Sequence, residues 1–143
     1  MTIGRLAWII GAAVLVLVIN VVVSLIVIET NVFLINPGRD DAYYQEYAET
    51  VAPYSSIIAG VPLMFLMCRR VGGWWEADFA IKAAILVWLV YAVIDVLVLL
   101  GAVMSVGVPT RMIVLTAVSV TTKFAAAYFG GIVGSRRVQK GYA

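Results

Sequence analysis

Four long apolar runs, separated by short polar breaks, organise the chain. About 20 apolar residues of α-helix cross a bilayer's hydrocarbon core, and each run meets or approaches that length. The pattern predicts spans over roughly 6–30, 51–68, 79–105 and 110–134. The first run, Leu6 to Ile28, is interrupted only by Asn20 and Ser24, which are four residues apart and share a helix face. It is longer than the core of a secretory signal peptide, and no clear cleavage site follows, so a retained helix is expected. The second run is the shortest. Pro53 falls where a first-turn proline is tolerated, whereas Pro62 removes an interior backbone hydrogen bond and presses on the Ile58 carbonyl. Gly60 leaves room for another backbone to approach.

Between the first two runs lies the only strongly polar segment. Asn36-Pro37-Gly38 reads as a turn, and Asp40 or Asp41 can cap the helix after it. Tyr44, Tyr47, Val51 and Tyr54 then recur at three- and four-residue steps, with the acidic side chains mainly on other faces. This predicts a short amphipathic helix within 36–52, lying at the membrane surface. The fold class is therefore all-α integral membrane. One transmembrane domain spans 1–143: a four-transmembrane-helix bundle with a short amphipathic interfacial helix between the first and second spans.

Composition agrees. The chain is 64% hydrophobic and 13% charged, with a mean hydropathy of +1.04, against about 45–50% and 25% for a soluble domain. A net charge of +2 gives no ground for nucleic-acid binding. With no histidine and a single cysteine, Cys68, the chain offers no histidine-ligated metal or haem site and no internal disulfide. No cofactor is implied.

Two charges fall inside apolar runs: Asp95 in the third and Lys123 in the fourth. A charge at membrane depth costs about 2.5–3.5 kcal/mol on insertion scales and usually faces the bundle interior or a partner. Gly107 and Pro109 make a tight connection, so these two spans should form an antiparallel hairpin. At 1.5 Å per residue, Asp95 lies about 14 Å below Met104 and Lys123 about 20 Å below Thr110. The mismatch of about 6 Å is near the reach of an extended lysine side chain, and a direct or water-bridged Asp95–Lys123 contact is the expectation. The surrounding polar site would comprise Asp95, Lys123, Tyr91, Trp88, Thr116, Ser119 and Asn20. A second candidate is an outer acidic and aromatic mouth of Glu29, Tyr44, Glu46, Tyr47 and Glu49. In the fourth run, Gly130-xxx-Gly134 has the spacing of a close-packing motif for membrane helices.

Loop charge sets the expected orientation. Arg5, Arg69-Arg70 and Arg136, Arg137 and Lys140 flank one side, while Glu29, Asp40, Asp41, Glu46 and Glu49 occupy the other against Arg39 and Arg111. By the positive-inside rule both termini are cytoplasmic, in a bacterial-type inner membrane.

No nucleophile elbow, phosphate-cradling loop or metal-ligand spacing is present in the sequence, so no catalytic residue is assigned. Small multidrug transporters are similar in having four short spans, but they are shorter and use a glutamate within the first span. Here the first-span candidate, Glu29, sits at the rim, and the resemblance ends there. Two function classes remain. The preferred expectation is a non-enzymatic scaffold or accessory subunit whose Asp–Lys pair fixes helix register, because no second acidic site or broken-helix pair accompanies the first. The alternative is a small oligomeric transporter or channel for a proton, ion or small solute. The expected partners are the lipid bilayer and a second copy or another membrane protein.

Overall fold

The computed structural model describes residues 3–107 and 109–141. It is all-helical: α1 (Ile3–Thr30), continued by a π-helical turn (Asn31–Ile35), then α2 (Asp41–Gly72), α3 (Ala77–Val106) and α4 (Thr110–Gly141). Four helices are long and apolar enough to cross a membrane.

The interfacial helix expected within 36–52 is not a separate element. Its residues form the first turns of α2, which runs unbroken from Asp41 to Gly72 through both prolines. The reason is phase. Tyr44, Tyr47, Val51 and Tyr54 keep one helical period across the polar-to-apolar boundary, and no glycine or asparagine interrupts it there. Thirty-two residues make α2 about 48 Å long, against a hydrocarbon core of about 30 Å. Asp40 caps its start by accepting from the Tyr43 amide at 3.1 Å. Gly38 supplies the turn's positive φ of 80°. The Tyr44 hydroxyl closes that turn, donating to the Asn36 carbonyl at 2.8 Å and accepting from the Arg39 amide at 3.0 Å.

Small residues fill the interior. Ala12, Ala13, Ala83, Ala84, Ala126 and Ala127 are buried, while Phe33, Leu34, Ile58, Val98 and Met104 stand outside. This suits lipid surroundings, where helices gain little by hiding large apolar groups and associate by close backbone approach. The glycines of α4 show the device. A Cβ added at Gly130 would stand 2.6 Å from the Phe65 carbonyl oxygen, and one at Gly134 would stand 2.6 Å from that of Arg69. Gly131 faces the other way, against Ala84 and Ile81 of α3. The α4 backbone is thus wedged between α2 and α3, as the Gly130-xxx-Gly134 spacing anticipated. Gly107, with φ of 70°, turns the chain from α3 towards α4.

Candidate functional site

All four helices converge on Lys123, whose side chain is fully buried. Its ammonium donates to Tyr91 Oη at 2.7 Å, Ser56 Oγ at 2.7 Å and Ser119 Oγ at 2.9 Å. A lysine has three N–H donors, so hydroxyls from α2, α3 and α4 take up all of them. The ammonium also lies 4.6 Å from the Tyr91 ring centroid, within cation–π range. Helix α1 joins through Asn20, whose Nδ2 donates to Ser56 Oγ at 2.8 Å and lies 3.5 Å from Tyr91 Oη. Ser56 and Ser119 share a hydrogen bond of 3.2 Å. One turn further out along α1, Ser24 and Ser55 are joined at 2.6 Å. Asn20 Oδ1 is buried and without a partner.

The lysine stem needs a gap in α2, and Gly60 provides it. A Cβ there would collide with Lys123 Cε and stand 2.9 Å from both Lys123 Nζ and Asn20 Oδ1. The space beside Gly60 thus admits a side chain, not the backbone anticipated from sequence.

The direct form of the expected Asp95–Lys123 contact does not occur. No ion pair joins them among the described residues, and hydroxyls satisfy the ammonium instead. The physical reason is reach. The depth difference of about 6 Å is at the limit of a lysine's reach, whereas the Gly60 gap and three hydroxyl acceptors lie directly beside the side chain. Asp95 is half-buried. It accepts no hydrogen bond from any described residue; on its own face of α3, Tyr91 and Ala92 one turn before it are buried and Val98 one turn after it is exposed.

Other expected members divide. Tyr91, Ser119 and Asn20 belong to the cluster. Trp88 stands beside it, donating from Nε1 to the Val120 carbonyl at 2.9 Å and packing on Phe124 with centroids 4.8 Å apart. Thr116 is half-buried and joins no side-chain hydrogen bond there. Ser55, Ser56 and Gly60 were missed. Their only signal was a pair of serines one turn from a glycine inside an apolar run, which is common in membrane helices.

Tyr44 holds the turn, Glu49 accepts from Gln45 at 3.1 Å, and Tyr47 stacks on Tyr43 with centroids 6.4 Å apart. Glu29 and Glu46 are exposed. No cluster of three metal-ligating side chains occurs among the described residues. Arg111 is tied to α2, where it donates to Tyr54 Oη at 3.2 Å and covers that ring. Cys68 is a buried thiol between Met64 Sδ, at 3.7 Å, and the Ala84 carbonyl, at 3.6 Å.

The architecture and the site define an all-helical chain of four apolar helices holding a buried ammonium in a hydroxyl cage. Compared with family models, curated proteins and solved structures, the chain matches none.

Proposed function

We propose that the protein is a non-enzymatic membrane scaffold or accessory subunit. In this reading the Lys123 cluster locks the four helices in register, and the Asp95 face of α3 receives a helix of another membrane protein. The observation that carries it is the contrast between the two intramembrane charges. Lys123 is satisfied within the protomer, but Asp95 has no hydrogen-bond partner among the described residues. A half-buried carboxylate without a hydrogen-bond partner at membrane depth is costly, and a basic or hydrogen-bonding side chain at matching depth on a partner would offset that cost. A second copy would bring no free cation at that depth, because its own Lys123 is already engaged. The polar, tyrosine-bearing turns at the start of α2 would stand in the outer headgroup layer. The distribution of arginines supports cytoplasmic termini in a bacterial inner membrane.

The test is photocrosslinking from Val98, the exposed residue three positions along the same face of α3 as Asp95, in native membranes, using an introduced benzophenone amino acid. A discrete crosslinked membrane protein, lost when Asp95→Leu is added, is expected. Crosslinks to lipid alone would sink the reading.

A second reading, a small oligomeric transporter or channel, is favoured by the continuity of the polar column. Ser24–Ser55, Asn20–Ser56, Ser119, Lys123 and Tyr91 follow one another across the bundle, and Asn20 Oδ1 remains an open acceptor. Proton or ion flux in reconstituted vesicles that disappears with Asp95→Asn would favour this reading over the first.

A further inference from the structure

Where α2 ends, a groove of about 590 Å³ opens on the surface of the bundle. Arg69, Arg70 and Trp74 line its polar end, and Met67, Leu66 and Leu63 line it over the two preceding turns, further into the apolar part of the helix. Its volume falls within the range of ordinary small-ligand sites, about 300–1,000 Å³. Trp74 also borders an adjoining cavity of about 250 Å³ between Trp8 and Trp75. Trp8 packs edge-on against Trp74 at a centroid distance of 5.5 Å, which fixes the wall shared by the two spaces. Arg5 reaches the same end, its guanidinium 5.8 Å from the Trp75 centroid.

Arg69 and Arg70 form no ion pair among the described residues, and the nearby Glu76 is exposed to solvent. The groove therefore presents two guanidiniums at headgroup level, a tryptophan beside them and an apolar wall beneath. We propose that it binds an anionic phospholipid, with the phosphate on Arg69 and Arg70 and an acyl chain along Leu63, Leu66 and Met67. Guanidinium forks match phosphate oxygens in pairs, tryptophan favours the headgroup boundary, and basic pockets between membrane helices suit anionic headgroups. A zwitterionic lipid would leave the positive charge uncompensated. A free phosphate would use none of the apolar wall. A second copy inserted in the same orientation would bring its own arginines to the same leaflet.

The experiment uses the full chain in phosphatidylcholine vesicles containing a minor fraction of brominated lipid, with tryptophan fluorescence as the readout. Brominated phosphatidylglycerol should quench at about twenty-five-fold lower mole fraction than brominated phosphatidylcholine, since each of the two cations near an anionic headgroup adds about a factor of five. Arg69→Gln with Arg70→Gln should abolish that preference while helical circular dichroism is retained. Should that variant misfold, salt decides with the natural chain. Raising it from about 0.1 M to about 1 M shortens the Debye length from about 10 Å to 3 Å and should weaken the preference. Equal quenching by the two lipids, or a preference indifferent to both the substitutions and salt, overturns the proposal. So does loss of the preference when inorganic phosphate replaces chloride at constant ionic strength, which would mark a free-anion site. A dimer in detergent whose groove tryptophans escape both brominated lipids would assign the groove to a second copy.

Discussion

Lys123 Nζ and Tyr91 Oη are joined at 2.7 Å, and the ammonium sits 4.6 Å from the centroid of the same ring. One tyrosine thus serves the buried cation twice, with its hydroxyl and with its π-face. Tyr91→Phe should keep the ring but remove the acceptor, lowering stability by about 1.5–3 kcal/mol, as for other hydrogen bonds to charged groups. Lys123→Met should be much milder, because replacing a buried charge by an apolar group of similar shape is often nearly neutral. In the Lys123→Met background, Tyr91→Phe should cost little. Thermal unfolding of the four variants in one detergent measures this, and equal losses with and without Lys123 would refute the coupling.

Exchange of the two intramembrane charges gives a second expected outcome. Were Asp95 and Lys123 an ion pair, Asp95→Lys with Lys123→Asp would recover what each single change loses. Because the ammonium is bonded to Ser56, Tyr91 and Ser119, a short carboxylate at 123 could not replace it. The exchange should therefore be no more stable than the sum of its parts, within about 0.5 kcal/mol. Recovery in the double variant would contradict the geometry.

Gly60 should tolerate no larger residue while Lys123 is present. An alanine Cβ would meet the lysine stem, which can swing aside only by releasing its hydroxyl partners. A loss of about 1–3 kcal/mol is expected, as for overpacking. Combining Gly60→Ala with Lys123→Ala should return part of it. Monodispersity and melting in detergent provide the readout, and a Gly60→Ala protein as stable as the natural one would count against the arrangement.

The glycines of α3 and α4 should differ sharply. At Gly134 an added Cβ meets backbone of α2 at 2.6 Å, which cannot give without parting the helices. At Gly101 nothing lies within 4 Å. Gly134→Ala should destabilise strongly, whereas Gly101→Ala should be neutral or gain up to about 1 kcal/mol from helix propensity. Similar effects at both sites would remove the case for α2–α4 contact.

Orientation can be read with introduced cysteines, since Cys68 is enclosed by Met64 and Ala84 and should stay silent from either side. In intact cells an impermeant thiol reagent should label Glu46→Cys, on the exposed outer turns of α2. Arg136→Cys should react only after permeabilisation. The reverse pattern would invert the topology.

What the sequence settled by itself was local. Span length and hydropathy are sums over neighbouring residues, so four helices, the Asn36-Pro37-Gly38 turn and an aspartate cap at Asp40 or Asp41 were legible without tertiary information. Gly130-xxx-Gly134 was legible too, because its meaning depends only on spacing along one helix. Lys123 was recognisable as a charge requiring a partner, since its cost comes from depth alone. Which partner it takes was decided by the rotation of α2, which brings Ser56 and the Gly60 gap to face α4. Serines and glycines inside an apolar run carry no mark of the neighbour they will meet. A flexible lysine side chain can reach any acceptor within about 6 Å, so only the packed bundle chose the hydroxyl cage over Asp95.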